Sequence, residues 1–203
     1  MSLEFYHAPY STADITKAVL TALQTPHKLH TLSFATKDTR KPEFLALNPN
    51  GQVPVIVHDN VPIFESAAIT LYLGETFGVE KGLYPPPGPQ RGEAMKWVIW
   101  SNVNFSRPLY VLMSAKGGGA FSKEEIDAAN ETLNNLLGTL TKGLEGKGFL
   151  LGSWSVVDIH VGSMMGYGTL VGMDTTEFPA VQAYVKRCEK KMEEAEKAAA
   201  AAK

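Results

Sequence analysis

The sequence is poor in several features that would each indicate a particular class of protein. Its 203 residues include one cysteine, Cys188, which excludes an internal disulfide, a Cys-x-x-Cys redox pair and a zinc site built from cysteines. No apolar run approaches the roughly 18 residues of a membrane-spanning helix, and we expect no signal peptide. The 19 Lys and Arg against 21 Asp and Glu leave a net charge of -2, without the basic excess that phosphate binding requires. We therefore expect a protein of a reducing, intracellular setting that binds neither nucleic acid nor membrane.

The first 80 residues alternate between apolar runs typical of strands and apolar residues at helical spacing. The order is strand, helix, strand, helix, strand, strand, helix. The first two strands should be parallel, and the last two, joined by the Asp59-Asn60 turn, should be antiparallel. This order predicts an α+β domain with a mixed four-stranded sheet. The predicted strands cover residues 3–7, 30–34, 53–57 and 61–64, and the predicted helices cover 13–25, 41–47 and 65–77.

Beyond residue 90 the strand signals stop and only helical signals remain. The proline-rich stretch over residues 84–89 is stiff and extended, as expected of a linker. We therefore predict a first domain over residues 1–80, a linker over 81–90 and an all-α domain over 91–203. The alanine- and lysine-rich end of the chain favours a helix without an apolar face, so we expect a solvated extension there. The predicted helices cover residues 91–116, 123–145, 156–171 and the chain from 179 onward.

Two motifs stand close together in the first domain: Asn-Pro-x-Gly-x-Val-Pro over residues 48–54, and Glu-Ser-x-Ala-Ile-x-x-Tyr-Leu over 65–73. At this separation they resemble the glutathione-binding half of the cytosolic glutathione transferases. The stretch Pro9-Tyr10-Ser11 is similar to the Pro-x-Ser of the serine-type classes, such as the plant phi and insect delta classes. The resemblance extends, more loosely, through the second domain.

This resemblance implies a thioredoxin-like first domain and a helical second domain with an electrophile pocket. It implies an enzyme that conjugates the glutathione thiolate to small hydrophobic electrophiles in detoxification, with glutathione peroxidase activity as a related expectation. Glutathione would be the co-substrate, and we expect no metal and no further cofactor. The family resemblance also implies a cytoplasmic homodimer. The alternative is a non-catalytic transferase-like module, such as that of elongation factor 1 gamma, which need not keep both Ser11 and the Glu65-Ser66 pair.

The resemblance implies that residues of both motifs bind glutathione. Val53 would pair its backbone with the extended tripeptide, next to a cis peptide bond at Pro54. Glu65 would accept from the γ-glutamyl ammonium, while Ser66 and the free N–H groups of its helix would bind the neighbouring carboxylate. Without a ligand, Pro54 would be an ordinary strand-edge proline and Ser66 a simple helix cap.

The other end of glutathione carries the glycine carboxylate, for which the family pattern points to Arg40, Lys41 and Gln52. A phi-class chain typically offers a histidine before a lysine here, whereas this sequence has Thr39-Arg40-Lys41. The competing interpretation makes Arg40 and Lys41 a solvated surface pair, and the sequence favours neither.

The thiol needs a hydrogen-bond donor, because a free thiol has a pKa of about 8.5 and is mostly protonated at neutral pH. Ser11 lies between the first strand and the first helix, where such a donor belongs, and it matches the family's Pro-x-Ser. It could also serve only as the helix cap. Tyr6, at the strand position of tyrosine-type classes, and Thr12 are the competing donors.

The electrophile pocket should involve the first long helix of the second domain. We assign Tyr10, Tyr110 and Met113 to it, and we expect Trp97 and Trp100 to pack in the core or an interface. The Ser155-Val156-Val157-Asp158 stretch is a capping box ahead of an apolar helix, so its serine and aspartate are interpreted as structural.

Overall fold

The computed structural model describes residues 2–201, and its strands all lie in the first third of that range. As predicted, a mixed four-stranded sheet comes first and helices follow it. Among the described residues, no helix is both long enough and apolar enough to span a membrane. The elements of the sheet region are β1 (Leu3–His7), α1 (Ala13–Ala22), β2 (Lys28–Thr31), a 3-10 turn (Asp38–Arg40), α2 (Pro42–Leu45), β3 (Val55–His58), β4 (Val61–Phe64) and α3 (Ser66–Leu73).

The strand order is β2-β1-β3-β4, with β1 parallel to β2 and antiparallel to β3, and β4 antiparallel to β3. In the sheet centre, Phe5 lies opposite Ile56 and both are fully buried. The parallel first pair and the antiparallel last pair were both predicted. The buried centre holds the ends of β1 and β3 side by side, and the residues that follow β1 and precede β3 therefore meet at one edge.

The second strand lies earlier than residues 30–34, the range that the alternation predicted. β2 ends at Thr31 because the chain turns immediately afterwards: the Asp38 carboxylate accepts from the backbone N–H of Ser33 at 2.8 Å, and the Asp38 N–H donates to the Ser33 carbonyl at 3.1 Å. A strand cannot continue where its ladder groups are taken by a local turn. The turn directs the following residues towards the start of β3.

The second region consists of α4 (Pro89–Lys116), α5 (Lys123–Gly143), α6 (Val156–Val171) and α7 (Pro179–Ala201). The capping box at Ser155 is present as predicted, and a second one at Ser122 starts α5. Helix α7 includes most of the alanine-rich tail, whose last two residues lie outside the described range.

Helix α6 joins the helical region to the sheet region. The Val156 N–H donates to the Leu83 carbonyl at 2.9 Å, and Nδ1 of His160 lies 2.9 Å from Oγ1 of Thr70 on α3. Both His160 and Thr70 are fully buried. Burial lowers the pKa of His160 to about 4, so the ring is neutral at pH 7.

Asp158, the N3 residue of that capping box, is a buried structural carboxylate. One oxygen accepts from the Leu150 N–H at 2.9 Å and the Tyr184 hydroxyl at 3.1 Å, and the other accepts from the N–H and hydroxyl of Ser155. Burial raises the pKa of Asp158 to about 6 despite these donors. The structural role predicted for Ser155 and Asp158 agrees with these contacts.

Candidate active site

A cleft of about 920 Å³ opens between one end of the sheet and helix α4. Every glutathione-binding residue predicted from the sequence lines it except Lys41, and the predicted thiol donor Ser11 lines it too. The cleft also contains residues that the sequence analysis did not assign. Its walls are Ser11, Thr12, Phe34, Lys37, Thr39, Arg40, Asn48, Gly51, Gln52, Val53, Pro54, Glu65, Ser66, Asn102, Ser106 and Tyr110.

The floor of the cleft is the segment that leads into β3. The Val53–Pro54 peptide bond is cis, as the family resemblance implied. Asn48 holds the preceding loop, because its amide donates to the Gln52 carbonyl at 2.7 Å and its side-chain oxygen accepts from the Asn50 N–H at 3.1 Å. The Val53 carbonyl lies 3.4 Å from the Thr12 hydroxyl, which connects this segment to the start of α1.

The start of α3 forms one wall. Glu65 has φ 72° and ψ 117°, an unusual backbone conformation for a residue with a Cβ, and its side chain is exposed to the cleft. The first helical hydrogen bond runs from the Ile69 N–H to the Glu65 carbonyl, so the N–H groups before Ile69 precede the helical ladder. Ser66 is 4% exposed and donates to the side-chain oxygen of Asn102 on α4 at 3.2 Å. A carboxylate here would meet several donors.

The two cations predicted for the glycine carboxylate, Arg40 and Lys41, lie in different places. Lys41 is not in the cleft lining, because its ammonium pairs with the Asp38 carboxylate at 2.7 Å. That hydrogen bond raises the pKa of Lys41 and lowers the pKa of Asp38. Arg40 does line the cleft and donates to the Asn50 carbonyl at 3.2 Å.

Lys37 lines the cleft although the sequence analysis did not assign it. Its backbone is left-handed, with φ 54°, and it precedes the Asp38–Arg40 turn. The usable sequence signal is charge spacing: Asp38 and Lys41 are three residues apart and can pair, which leaves Lys37 and Arg40 as the remaining cations of the loop.

Ser11 has two hydrogen bonds in this structure. Its hydroxyl donates to the Ala8 carbonyl at 2.6 Å and accepts from the Ala13 N–H at 3.2 Å. The second bond satisfies the N–H of the first residue of α1, whose N-cap position is occupied by Thr12. Ser11 also lines the cleft, so a contact with the thiol of a bound ligand is open to it. Thr12, which is exposed, lines the cleft beside it. Tyr6 does not line the cleft: its ring stacks on His30 at 4.4 Å between centroids.

A second cavity of about 490 Å³ adjoins the cleft, and Ser11, Thr12, Ser106 and Tyr110 line both. It contains all three residues predicted for the electrophile pocket. Tyr10 stands at its rim, 94% exposed and with φ 59°. Trp97 is buried and packs edge-on against Trp100, as expected for core residues. The remaining walls are Asp14, Ile15, Leu109, Met113, Ser163, Met164, Gly166, Tyr167 and Leu170.

Helix α6 supplies the part of this cavity that the sequence analysis missed. Met164, Tyr167 and Leu170 recur at a spacing of three and have the composition of any apolar helix. Their position at a cavity depends on how α6 packs against α4, which no local pattern encodes. No sequence signal in this chain could have separated them from core residues.

The chain belongs to the glutathione S-transferase family, whose N-terminal and C-terminal domain models match residues 1–75 and 99–191. Glutathione S-transferase D7 of Drosophila melanogaster is 26% identical over 194 residues, covering 93% of this chain and 85% of the fly protein. A sphingomonad glutathione S-transferase complexed with glutathione is 26% identical with a TM-score of 0.81, covering 97% of this chain and 98% of that one. A glutathione transferase from Burkholderia graminis, with two glutathione molecules bound per subunit, is 27% identical with a TM-score of 0.80, covering 94% and 87%. The chain is thus a glutathione S-transferase, as predicted.

Proposed function

We propose that this enzyme conjugates the thiolate of glutathione to small hydrophobic electrophiles, with Ser11 as the hydrogen-bond donor to the sulfur. One observation carries the proposal: a polar cleft and a largely apolar cavity meet at Ser11 and Thr12. A charged tripeptide fits the first and an apolar molecule the second. The hydroxyls between them stand where sulfur and electrophile would have to react.

The cleft offers a group for each part of glutathione. Glu65 accepts from the γ-glutamyl ammonium, and Ser66 with the N-terminus of α3 holds the adjacent carboxylate. Val53 and Pro54 present a backbone edge to the extended peptide. Arg40 and Gln52 serve the glycine carboxylate, and we add Lys37 to this group. Lys41 stays outside it, because Asp38 already occupies its ammonium.

Ser11 acts on the thiol by stabilising its anion. A hydroxyl that donates to sulfur lowers the pKa of the thiol, and the positive end of the α1 dipole acts in the same direction. The Ser11 proton points to the Ala8 carbonyl in this structure, so it must turn towards the sulfur when glutathione binds. Thr12 remains the alternative donor, while the stacking of Tyr6 on His30 disfavours Tyr6.

The test is calorimetric titration with glutathione, followed by conjugation assays over several electrophiles. Glu65→Gln should weaken glutathione binding about tenfold or more, because it removes one charge-assisted hydrogen bond. Glu43→Gln is the matched control: Glu43 is also exposed in the sheet region but does not line the cleft. Equal affinity of the wild type and Glu65→Gln would contradict the assignment.

A glutathione peroxidase activity would use the same thiolate. Two glutathione molecules would reduce an organic hydroperoxide to its alcohol and water and would form one glutathione disulfide. The shared wall at Ser11 supports this second activity equally well, because an apolar hydroperoxide would enter the same cavity. Oxidation of glutathione by cumene hydroperoxide, lost in Ser11→Ala, is the measurement. The presence of Ser11, Glu65 and Ser66 together in the cleft lining disfavours the non-catalytic module considered as the alternative.

We propose that residues 1–80 form the first domain, residues 81–90 the linker and residues 91–203 the helical domain. The position of all strands before Ser66 and the start of α4 at Pro89 support the division. Limited proteolysis tests it: the first cut of the native chain should fall within residues 81–90. Cleavage within α4 instead would move the boundary.

We also propose a cytoplasmic homodimer. Met95, Ile99 and Val103 are exposed apolar residues four positions apart on α4, a stripe that a second copy of the chain would cover. Val103 is the most exposed of them, at 67%. Light scattering should give twice the monomer mass for the wild type and a monomer for Val103→Glu. A monomeric wild type would contradict the dimer, and a fluorescent fusion would test the location.

A further inference from the structure

The electrophile cavity has a single charged side chain in its described lining. This is Asp14 in the first turn of α1, among walls that are otherwise aliphatic, aromatic, glycine or hydroxyl residues. The Asp14 side chain is 51% exposed, so its carboxylate reaches the space that a ligand would occupy. Because apolar surroundings screen a charge less than water does, this carboxylate acts on any charged molecule that enters.

The Asp14 carboxylate is held in place by His7. The Nε2 atom of His7 lies 2.7 Å from Oδ1 of Asp14, while Oδ2 has no hydrogen bond to any residue that the structure describes. Asp14 follows Ser11 by three residues, and both side chains line the cavity. The negative charge is therefore fixed near the hydroxyl at which we propose that the sulfur reacts, with one oxygen available to a ligand.

Two cations lie near the cavity but are engaged outside it. The Arg107 guanidinium lies over the rings of Tyr110 and Phe121, 5.7 and 5.4 Å from their centroids. The Lys116 ammonium donates to the Leu170 carbonyl at 2.7 Å, near the C-terminal end of α6, where the partial negative charge of the helix offsets part of its own. Neither cation belongs to the cavity lining. A bound anion would thus meet a carboxylate and no cation in the lining.

The aromatic side chains of the cavity favour positive charge as well. They are the three tyrosines Tyr10, Tyr110 and Tyr167. The face of a tyrosine ring attracts a cation that lies within about 6 Å of its centre. Arg107 already lies over Tyr110, whereas no cation of the described residues lies over Tyr10 or Tyr167. A carboxylate and two tyrosine rings are therefore available to an organic cation.

We propose that Asp14 makes this cavity select electrophiles by charge, with organic cations preferred, neutral molecules next and carboxylates last. The inference rests on the proposed conjugation and names the substrate class of its electrophile site. The preferred electrophile carries a quaternary ammonium group on an apolar body, so that the body fills the cavity while the charge faces Asp14 and the tyrosine rings. Asp14 acts on specificity, since it lies outside the lining of the glutathione cleft.

The experiment uses three para-substituted benzyl chlorides in the full-length enzyme: 4-(chloromethyl)-N,N,N-trimethylanilinium, methyl 4-(chloromethyl)benzoate and 4-(chloromethyl)benzoate. They are positive, neutral and negative, and they share one reaction. The thiolate sulfur bonds to the benzylic carbon while the carbon–chlorine bond breaks, and chloride leaves with the electron pair. Dividing each kcat/KM by the uncatalysed rate constant with glutathione removes the difference in chemical reactivity. The wild type should then rank them cation, ester, carboxylate.

Two substitutions separate the charge of Asp14 from its contact with His7. Asp14→Asn keeps the shape and removes the charge, so it should lower the ratio of cation to carboxylate kcat/KM by about tenfold or more, about threefold or more for each unit of substrate charge. Asp14→Glu keeps the charge and alters the contact, so its ratio should stay close to the wild-type value. A purely structural effect would lower all three activities by one factor and leave the ratio unchanged. Asp127→Asn, on α5 outside the cavity lining, is the charge-matched control and should keep the wild-type ratio.

Salt provides a second measurement that needs no variant. Raising the ionic strength from about 0.01 M to about 1 M shortens the Debye length from about 30 Å to about 3 Å. The wild-type ratio should fall over this range, whereas the ratio of Asp14→Asn should change little. A wild-type ratio that does not respond to salt, or that equals the ratio of Asp14→Asn, would overturn the inference and leave the proposed conjugation standing. A wild type that uses none of the three substrates would overturn the proposed function.

Discussion

The Nε2 atom of His7 lies 2.7 Å from Oδ1 of Asp14, so the last residue of β1 and the first turn of α1 are joined across the loop that carries Ser11. His7 is buried, whereas Asp14 reaches the wall of the electrophile cavity. This contact joins the two ends of the loop, and the hydrogen bond from the Ser11 hydroxyl to the Ala8 carbonyl holds its interior. The position of the Ser11 hydroxyl therefore depends on a pair of residues outside the Pro-x-Ser motif.

Removing that contact should loosen the loop without touching the glutathione cleft. For Asp14→Ala we expect a loss of about 1 kcal/mol in the free energy of unfolding and a fall in kcat of roughly threefold or more, with the KM for glutathione unchanged. Steady-state kinetics and urea unfolding measure the two effects. Asp127→Ala, which breaks an exposed pair with Lys123, is the control and should change neither. A kcat equal to that of the wild type would show that the contact does not position Ser11.

Ser11→Ala tests the thiol donor directly. Loss of one hydrogen bond to a thiolate, worth about 1.5–3 kcal/mol, should lower kcat/KM about ten- to hundredfold. It should also raise the pKa of the thiol of bound glutathione. The hydrogen bond from the Ala13 N–H to the Ser11 hydroxyl is lost as well, at about 1 kcal/mol of stability, so unfolding must be measured alongside. Near wild-type turnover in a folded Ser11→Ala enzyme would move the role to Thr12, which Thr12→Val would then reveal.

Gly51 keeps the cleft floor and Arg40 in place. A Cβ at this position would lie 2.5 Å from Nη1 of Arg40 and 2.8 Å from the Thr39 carbonyl oxygen, and φ is +63°. Gly51→Ala should therefore raise the KM for glutathione about tenfold, because Arg40 and the Val53 segment must shift. Gly92→Ala in α4, where a Cβ meets nothing within 4 Å, is the control and should leave the kinetics unchanged. An unaltered KM in Gly51→Ala would exclude Arg40 from glutathione binding.

The buried His160 should make the stability depend on pH. Its pKa is about 4 in the folded protein against about 6.5 in the unfolded chain. The neutral ring therefore contributes about 3 kcal/mol to the free energy of unfolding above pH 6.5, and this contribution is lost as the pH falls towards 4. The contribution of Asp158 to stability depends on pH in the opposite direction. Because its pKa is raised to about 6 in the folded protein, that contribution is present at low pH and disappears as the pH rises through 6. The two slopes oppose each other in the wild type, so the difference from a variant must be measured.

His160→Asn removes the titration and can keep a hydrogen bond to Thr70. Urea unfolding between pH 4 and 7 should show the wild type losing stability relative to this variant on the acid side. A difference that does not change with pH would contradict a neutral, buried His160.

The fold was predictable because its signals are local. The helical spacing in α6 and the capping box at Ser155 give the limits of that helix directly from neighbouring residues, and β4 follows from the Asp59-Asn60 turn. The cleft residues Val53, Glu65 and Ser66 were predicted from the two motifs that resemble the glutathione transferase family. What depends on long-range packing was not predictable, since Tyr167 reaches the cavity only through the packing of two helices distant in sequence.

For the loop before α2, the sequence shows which residues are charged but not which of their side chains line the cleft. Arg40 and Lys41 are adjacent cations with similar sequence surroundings, yet the first lines the cleft and the second pairs with Asp38. The difference arises from the turn in which the Asp38 carboxylate accepts from the Ser33 N–H, a contact between a side chain and a backbone group five residues earlier. The sequence favours neither interpretation for Arg40 or Lys41, because it does not show which of the two Asp38 pairs with.

The shared wall at Ser11 and Thr12 has a consequence for turnover. In the reaction proposed above, a finished conjugate would span the cleft and the cavity at once, so it would be a bivalent ligand in which each half holds the other at a high local concentration. The affinity for the product would then grow with the apolar size of the electrophile, while the affinity for glutathione would not. For bulky substrates the slow step would move from bond formation to departure of the conjugate, and such conjugates would inhibit the enzyme that made them.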